Sequence, residues 1–280
     1  MQMLHTVAEL RAAVRLAGAV ALVPTMGNLH AGHLQLIQTA RQRGLPVVSS
    51  LFVNPLQFGP GEDFERYPRT LQADATQLAE AGCNILFVPS VTEMYPEAQT
   101  CRVVPPLADE LCGASRPGHF AGVATVVLKL FNMVQPRIAL FGKKDYQQLF
   151  ILRLMTRQLN LPIEILGIDT VRAEDGLALS SRNGYLSATE RAEAPRLYQV
   201  LQTLAAALRA GETDLAALEN AAATELTRHG WQVDYVQIRA QSTLLAPAPT
   251  EAACVVLAAA RLGNTRLIDN LEVTRPMQTV

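Results

Sequence analysis

The chain has 280 residues, 49% of them hydrophobic and 5% aromatic, and its 24 Lys and Arg against 25 Asp and Glu leave a formal net charge of −1. That length accommodates one large domain or two smaller ones around a sizeable core. Balanced charge without long like-charge blocks, together with few aromatics, excludes an electrostatic footprint for nucleic acid, a base-stacking surface and a membrane-surface face.

The first residues, MQMLHTVAELRAAVRLAG, carry apolar positions at helical spacing interrupted by Glu9, Arg11 and Arg15, which is not the uninterrupted apolar core of a signal peptide. No apolar run approaches the roughly 18 residues a membrane-spanning helix needs, so a cytoplasmic location is expected. Buried strands are expected at AVALV (19–23), PVVSSLFV (46–53), NILFV (84–88), RIALF (137–141) and PIEIL (162–166). Helical patterns lie between most of them, as in HLQLIQTARQRG (33–44) and TLQADATQLAEAG (70–82). This alternation predicts an α/β fold, a Rossmann-like parallel sheet with helices on both faces. Ligands in such sheets bind beyond the carboxyl ends of the strands, and the unusual residues gather there: PTMGNLHAGH, NPLQFGPGEDFERYPRT and GKKDYQQ.

From about residue 187 the texture turns to alanine-rich helical segments, followed by strand candidates at VDYVQIR (233–239) and AACVVLAAAR (252–261). We place a boundary near residue 176, giving a Rossmann-like domain over 1–176 and a smaller C-terminal α+β domain over 177–280. The four cysteines, Cys83, Cys101, Cys112 and Cys254, show neither C-x-x-C nor metal-finger spacing and are expected to be free thiols in a reducing compartment.

The stretch VPTMGNLHAGH holds two of the chain's five histidines. If a helix starts near Leu29, His30 and His33 share one face of its first turn, where unsatisfied backbone N–H groups and the positive dipole end favour an anion. Imidazoles there can donate hydrogen bonds to phosphate oxygens, and Gly27 and Gly32 let a ligand approach the backbone. Capping and packing of the helix is the plainer alternative. Zinc ligation would require a third ligand, and the H-E-x-x-H pattern is absent. The phosphate loop G-x-x-x-x-G-K-[ST] and the fingerprint G-x-G-x-x-G are also missing, so a nucleotide would be held by another device.

PTMGNLHAGH resembles the H-x-G-H signature of nucleotidyltransferases related to class I aminoacyl-tRNA synthetases. FVNPLQF with YPRT (52–70), ASRPGHFAGVATVV with FGKKDYQQL (114–149) and LALSSRNGYLS (177–187) narrow the match. In this order the four stretches resemble the pantothenate synthetase family, the ATP-dependent pantoate–β-alanine ligases, over nearly the whole chain.

That resemblance implies adenylation of pantoate by ATP, then displacement of AMP by β-alanine. It implies catalytic roles for His30, His33 and Lys144, with His33 at the position the family labels as proton donor. It assigns ATP to Met26, Gly27, Asn28, Leu29, His30, Ala31, Gly32 and His33, to Gly142, Lys143, Lys144 and Asp145, to Val171, and to Leu179, Ser180, Ser181 and Arg182. Gln57 and Gln148 carry over as pantoate-binding residues, with Gln57 also close to β-alanine. Arg116 and His119 match positions at the edge of the site, and Asn54 is expected to orient substrate or phosphate. Mg2+ is implied by ATP, held chiefly by phosphate oxygens and water rather than by a protein cage. The family further implies a homodimer formed through the first domain. Because LSSR lies at the domain boundary and a reactive acyl adenylate must be kept from water, the second domain and the SSRN loop are expected to act as a lid. Two other readings stay open: an adenylyl transferase acting on a phosphorylated cofactor precursor, and a nucleotide sensor without turnover.

Overall fold

The five apolar runs all form strands, and a sixth short strand joins them at the edge of one parallel sheet. The strands are β1 (Gln2–Leu4), β2 (Ala21–Thr25), β3 (Val47–Leu51), β4 (Ile85–Phe87), β5 (Ile138–Gly142) and β6 (Glu164–Ile168), in the order β1-β4-β3-β2-β5-β6. Every pairing in it is parallel. The structure, a computed structural model, describes residues 1–277. They fall into two compact units, one of Met1–Lys143 and Gln147–Asp169, the other of Lys144–Tyr146 and the chain from Thr170 onward.

In the first unit the helices are α1 (Val7–Ala17), α2 (Ala31–Gln42), α3 (Leu71–Ala81), α4 (Val91–Met94), α5 (Cys112–Ser115), α6 (His119–Val134) and, apart from its first residue, α7 (Tyr146–Gln158). Strand side chains alternate between faces, and two apolar clusters follow. Leu22, Val48 and Phe87 pack with Leu10 of α1, Phe131 of α6 and Leu152 of α7. Val23, Val47 and Leu86 pack with Ile37 of α2 and Leu78 of α3. Burial on both faces is why the strands read as continuous apolar runs.

The chain runs from β2 outward through β3 and β4 on one side, then returns to β5 and β6 on the other. The reversal lies between β2 and β5, the switch point where ligands bind in sheets of this kind. A proline ends the ladder there. Ala21 donates its N–H towards β3, to the Pro46 carbonyl, so alternate residues of β2 face β5, and Pro24 is one of them. Proline has no N–H to give. The β2–β5 register accordingly ends at Leu22↔Ala139, although both strands continue beyond it.

The second unit is α+β. Strands β7 (Gln232–Ala240), β8 (Ala253–Leu262) and β9 (Thr265–Thr274) form an antiparallel sheet in that order. Helices α8 (Ala188–Glu193), α9 (Arg196–Arg209) and α10 (Leu215–Arg228) accompany it. Leu197, Leu201, Leu204 and Leu208 of α9, spaced three and four apart, bury one helix face against Val256 and Ala258 of β8. No disulfide forms among the described residues, and burial pushes the Cys83 thiol up to about 11, which suits a core position and not a nucleophile.

After β3 the chain makes a 3₁₀ turn at Pro55–Gln57, against which α6 packs closely at Gly122. A Cβ on Gly122 would lie 2.2 Å from the Leu56 carbonyl oxygen and 2.8 Å from the Gln57 Cα. Both are backbone atoms and cannot rotate away. Gly122→Ala is therefore expected to lower stability by about 1–3 kcal/mol through overpacking, read as a shifted urea midpoint; an unchanged midpoint would show that the turn yields freely.

Candidate active site

Helix α2 begins at Ala31, close to the Leu29 start considered from the sequence and two residues ahead of the apolar pattern that begins at His33; the preceding turn holds the chain out of helical geometry, with Gly27 at φ 90° and Asn28 at φ 51°. The left-handed region suits Gly and tolerates Asn. That turn is clamped by a residue with no obvious signal in the sequence. Asp74, in the first turn of α3 and 2% exposed, accepts the Asn28 N–H on Oδ2 at 3.0 Å and the Leu29 N–H on Oδ1 at 2.9 Å. Thr70 donates its hydroxyl to Asp74 Oδ2 at 3.0 Å. A Cβ on Gly27 would sit 3.1 Å from the same oxygen.

With the turn fixed, His30 becomes the N-cap of α2. Its Nδ1 accepts the Gly32 N–H at 3.1 Å, while Nδ1 of His33 accepts the His30 N–H at 3.3 Å. The arrangement is a capping box built from two imidazoles in place of Ser and Glu. An accepting Nδ1 carries no proton, so each ring is neutral and its proton is on Nε2. The rings lie 4.1 Å apart, centroid to centroid. Capping and anion binding, alternatives at the level of sequence, are thus compatible: the cap uses Nδ1 of each ring, and the ring proton lies on Nε2.

Met26 connects this loop to the segment after β3. Gln57 Nε2 lies 3.1 Å from the Met26 sulfur, and Asn54 donates to Gln57 Oε1 at 3.0 Å and to the Gly122 carbonyl at 3.2 Å. Tyr95 donates its hydroxyl to Asn54 Oδ1 at 2.7 Å, and burial pushes the Tyr95 phenol up, so it stays a donor. Asn54 is 1% exposed and Gln57 8%. The chain of bonds fixes which end of the Gln57 amide accepts and which donates.

Arg116 and His119 hold Gln57 from its backbone side. His119 Nδ1 lies 2.8 Å from the Gln57 carbonyl oxygen, which can only accept, so Nδ1 is protonated. In the neutral ring Nε2 then accepts from Arg116 Nη1 at 2.9 Å. The Arg116 guanidinium also grips both oxygens of Glu62, at 2.8 and 2.7 Å, tying down the Gly-Glu-Asp segment. These two residues therefore position the turn that carries Gln57.

Gly142 and Lys143 end and follow β5, the strand beside β2, and Lys143 Nζ pairs with Asp169 at 2.8 Å. The two glutamines of α7 have different work. Gln147, 3% exposed, donates to the Leu107 and Glu110 carbonyls and accepts the Cys112 N–H. Gln148 makes none of these bonds and is partly exposed.

Lys144, Asp145, Val171 and Leu179–Arg182 belong to the second unit. Lys144 Nζ lies 3.8 Å from Asp145 Oδ2. Val171 and Leu179 end a hairpin in which the Val171 carbonyl accepts the Leu179 N–H at 3.0 Å. Ser180 Oγ accepts the Arg182 N–H and caps the 3₁₀ turn Ser181–Tyr185. Among the described residues no three His, Cys, Asp or Glu side chains converge as a metal cage.

The clamp on the histidine loop is open to direct test. Asp74→Asn turns an accepting oxygen into an N–H donor facing an N–H. Hydrogen bonds to a carboxylate contribute about 1.5–3 kcal/mol, so amide exchange at Asn28 and Leu29 should accelerate about ten- to hundredfold. Unchanged exchange at both would show that Asp74 does not hold the turn.

The sequence matches the family model described as Pantoate-beta-alanine ligase over residues 2–272. It is 62% identical over 276 residues to the pantothenate synthetase of Thiobacillus denitrificans, covering 98% of both chains. The pantothenate synthetase of Chromobacterium violaceum is 60% identical, covering 98% of this chain and 100% of the relative. Among solved structures, the pantothenate synthetase of Thermus thermophilus superposes with a TM-score of 0.93 at 50% identity, covering 98% of this chain and 100% of that one. The pantoate–β-alanine ligase of Francisella tularensis, solved with β-γ ATP and β-alanine, superposes with a TM-score of 0.83 at 31% identity over 97% of each chain. With the loop, the sheet and these relatives in agreement, the chain belongs to the pantoate–β-alanine ligase family.

Proposed function

We propose that this chain condenses pantoate with β-alanine at the expense of ATP. In the first step a pantoate carboxylate oxygen attacks the α-phosphorus; the bond to the bridging oxygen breaks and pyrophosphate leaves, giving pantoyl adenylate. In the second the β-alanine amine attacks the acyl carbon, the acyl–oxygen bond breaks and AMP leaves, with a proton released from nitrogen. The observation that carries this reading is the double-histidine cap at the end of β2. It sets the Nε2–H tautomer of two imidazoles at a helix N-terminus, next to the point where the β2–β5 ladder ends before Pro24.

The first step concentrates negative charge, since a carboxylate approaches a polyanion and the transition state loads the phosphate oxygens further. Donors fixed in advance stabilise that charge without reorganising. We assign His30 and His33 to the phosphates, His33 as a charge stabiliser first, with the backbone from Met26 to His33 lining the nucleotide. Lys144 supplies a further positive charge, while Gly142, Lys143, Asp145, Val171, Leu179, Ser180, Ser181 and Arg182 complete the proposed ATP ligands. Gln57 is proposed for pantoate and β-alanine and Gln148 for pantoate. An amide of fixed orientation suits a substrate with both hydroxyls and a carboxylate.

Mg2+ is proposed to arrive with ATP. The donors present fit an ion carried by triphosphate oxygens and water, since the described residues offer no three-carboxylate or histidine cage. When bound it would offset phosphate charge. A reactive acyl adenylate needs shelter from water, and we propose the second domain with its SSRN loop as the lid. We carry over a homodimer from the resemblance and a cytoplasmic location from the sequence pattern; no described helix is long and apolar enough to cross a membrane.

Pyrophosphate release tests the assignment. It should require both pantoate and ATP and proceed for one turnover without β-alanine; release independent of pantoate would point to another adenylyl transferase, and no release to a sensor. His33→Ala should slow adenylation about 10²–10³-fold, as for loss of one oxyanion donor, with little change in pantoate affinity. Equal losses in both would make its role binding alone. Gln57→Ala should raise KM for pantoate and β-alanine and leave KM for ATP near its parent value. A rise confined to ATP would refute its placement.

A further inference from the structure

Strand β9 carries two consecutive buried polar residues, Asp269 at 4% and Asn270 at 7% exposure. Neighbours on a strand point to opposite faces, so each serves a different side. Asn270 Nδ2 donates to the Lys144 carbonyl oxygen at 2.8 Å. Two residues further along the same strand face, Glu272 Oε1 accepts the Tyr146 hydroxyl at 2.9 Å. The three-residue segment that the second unit draws from the middle of the chain is thus held at both ends by one strand.

The other face of β9 is equally committed. Asp269 receives Arg172 through Nη1 at 2.6 Å and Nη2 at 2.9 Å, and its Oδ1 accepts the Asn270 N–H at 2.7 Å. Arg172 also donates to the Gly176 carbonyl at 3.1 Å and lies 3.6 Å over the Tyr198 ring. Asp269 therefore fastens the Val171–Leu179 hairpin while fixing the backbone of the residue that holds Lys144. Buried amides and carboxylates are costly unless every polar group finds a partner. Here the partners are the flanks of two segments proposed to hold ATP.

We propose that Asn270 is a positioning residue for adenylation, acting through the backbone of Lys144, with the Tyr146–Glu272 bond fixing the far end of the same segment. The inference rests on the reading of Lys144 as a triphosphate ligand. A lysine side chain is long and flexible, so where its charge is delivered depends on where its Cα is held. A misplacement near 1 Å can cost on the order of 10²-fold in rate.

A double-mutant cycle tests this, with single-turnover pyrophosphate release from pantoate and ATP measured for the parent, Asn270→Ala, Lys144→Ala and the combination. Asn270→Ala is expected to slow release about ten- to hundredfold in the parent and less than about twofold in the Lys144→Ala background, because residues acting as a unit are non-additive. KM for β-alanine should not move. Equal slowing in both backgrounds would overturn the role of Asn270. A parent-like rate for Lys144→Ala would instead overturn the assignment of Lys144, so the two failures are distinct. If Asn270→Ala does not fold, Tyr146→Phe carries the same cycle, since it removes only a hydroxyl; its slowing should likewise vanish in the Lys144→Ala background, and slowing that persists there would overturn the proposal.

Discussion

A helix N-terminus has backbone N–H groups that must be satisfied, and here two imidazoles satisfy them. That one constraint fixes the chemistry of the site. Because Nδ1 of His30 and Nδ1 of His33 each accept a backbone N–H, neither can be protonated there, and the ring protons are confined to Nε2. A Ser or Asp at the N-cap would serve α2 as well but carries no N–H donor of its own. The histidine box turns a structural requirement into a pair of donors whose tautomer is set before any ligand arrives.

The surroundings of that pair follow the same logic. Asp74 and Thr70 stabilise the strained turn at Gly27 and Asn28 that delivers His30 to its cap. Pro24, on the side of β2 that faces β5, withholds one ladder bond. The Tyr95–Asn54–Gln57 chain orients an amide, and the Glu62–Arg116–His119 chain holds the backbone beneath it. Preorganisation of this kind, in which supporting residues absorb the cost of order during folding, is what charge-stabilising sites require.

Much of this fold was legible because its strands are buried on both faces and read as unbroken apolar runs. The two strands that were not legible fail that description. Gln2–Leu4 is three residues at an edge. Thr265–Thr274 interleaves Arg266, Asp269, Asn270 and Glu272 with its apolar residues, and those polar groups are explained only by partners far away in sequence. The pattern of apolar positions places α2 only from His33 onward and does not reveal that a carboxylate from another helix clamps the loop before it. Candidate ligands were reachable by resemblance to a family, motif by motif. Of the residues that support those ligands, Asn54, Arg116 and His119 were reachable in the same way, whereas Asp74 and Tyr95 were not. Asp74 sits in an ordinary helical stretch, and Gln147 and Gln148 cannot be told apart by sequence, although one pins the 107–112 segment and its neighbour does not.

The central claim is that the two cap imidazoles are neutral and protonated on Nε2, and that these protons meet the phosphates of ATP. A long-range 1H–15N correlation spectrum of the histidine-labelled protein, recorded with and without ATP and Mg2+, reads the tautomer and the contact together. The account predicts two histidines with unprotonated Nδ1 and protonated Nε2, whose Nε2 signals move on adding nucleotide while Nδ1 stays an acceptor. Protonated Nδ1 in either ring, or Nε2 signals indifferent to ATP, would contradict it.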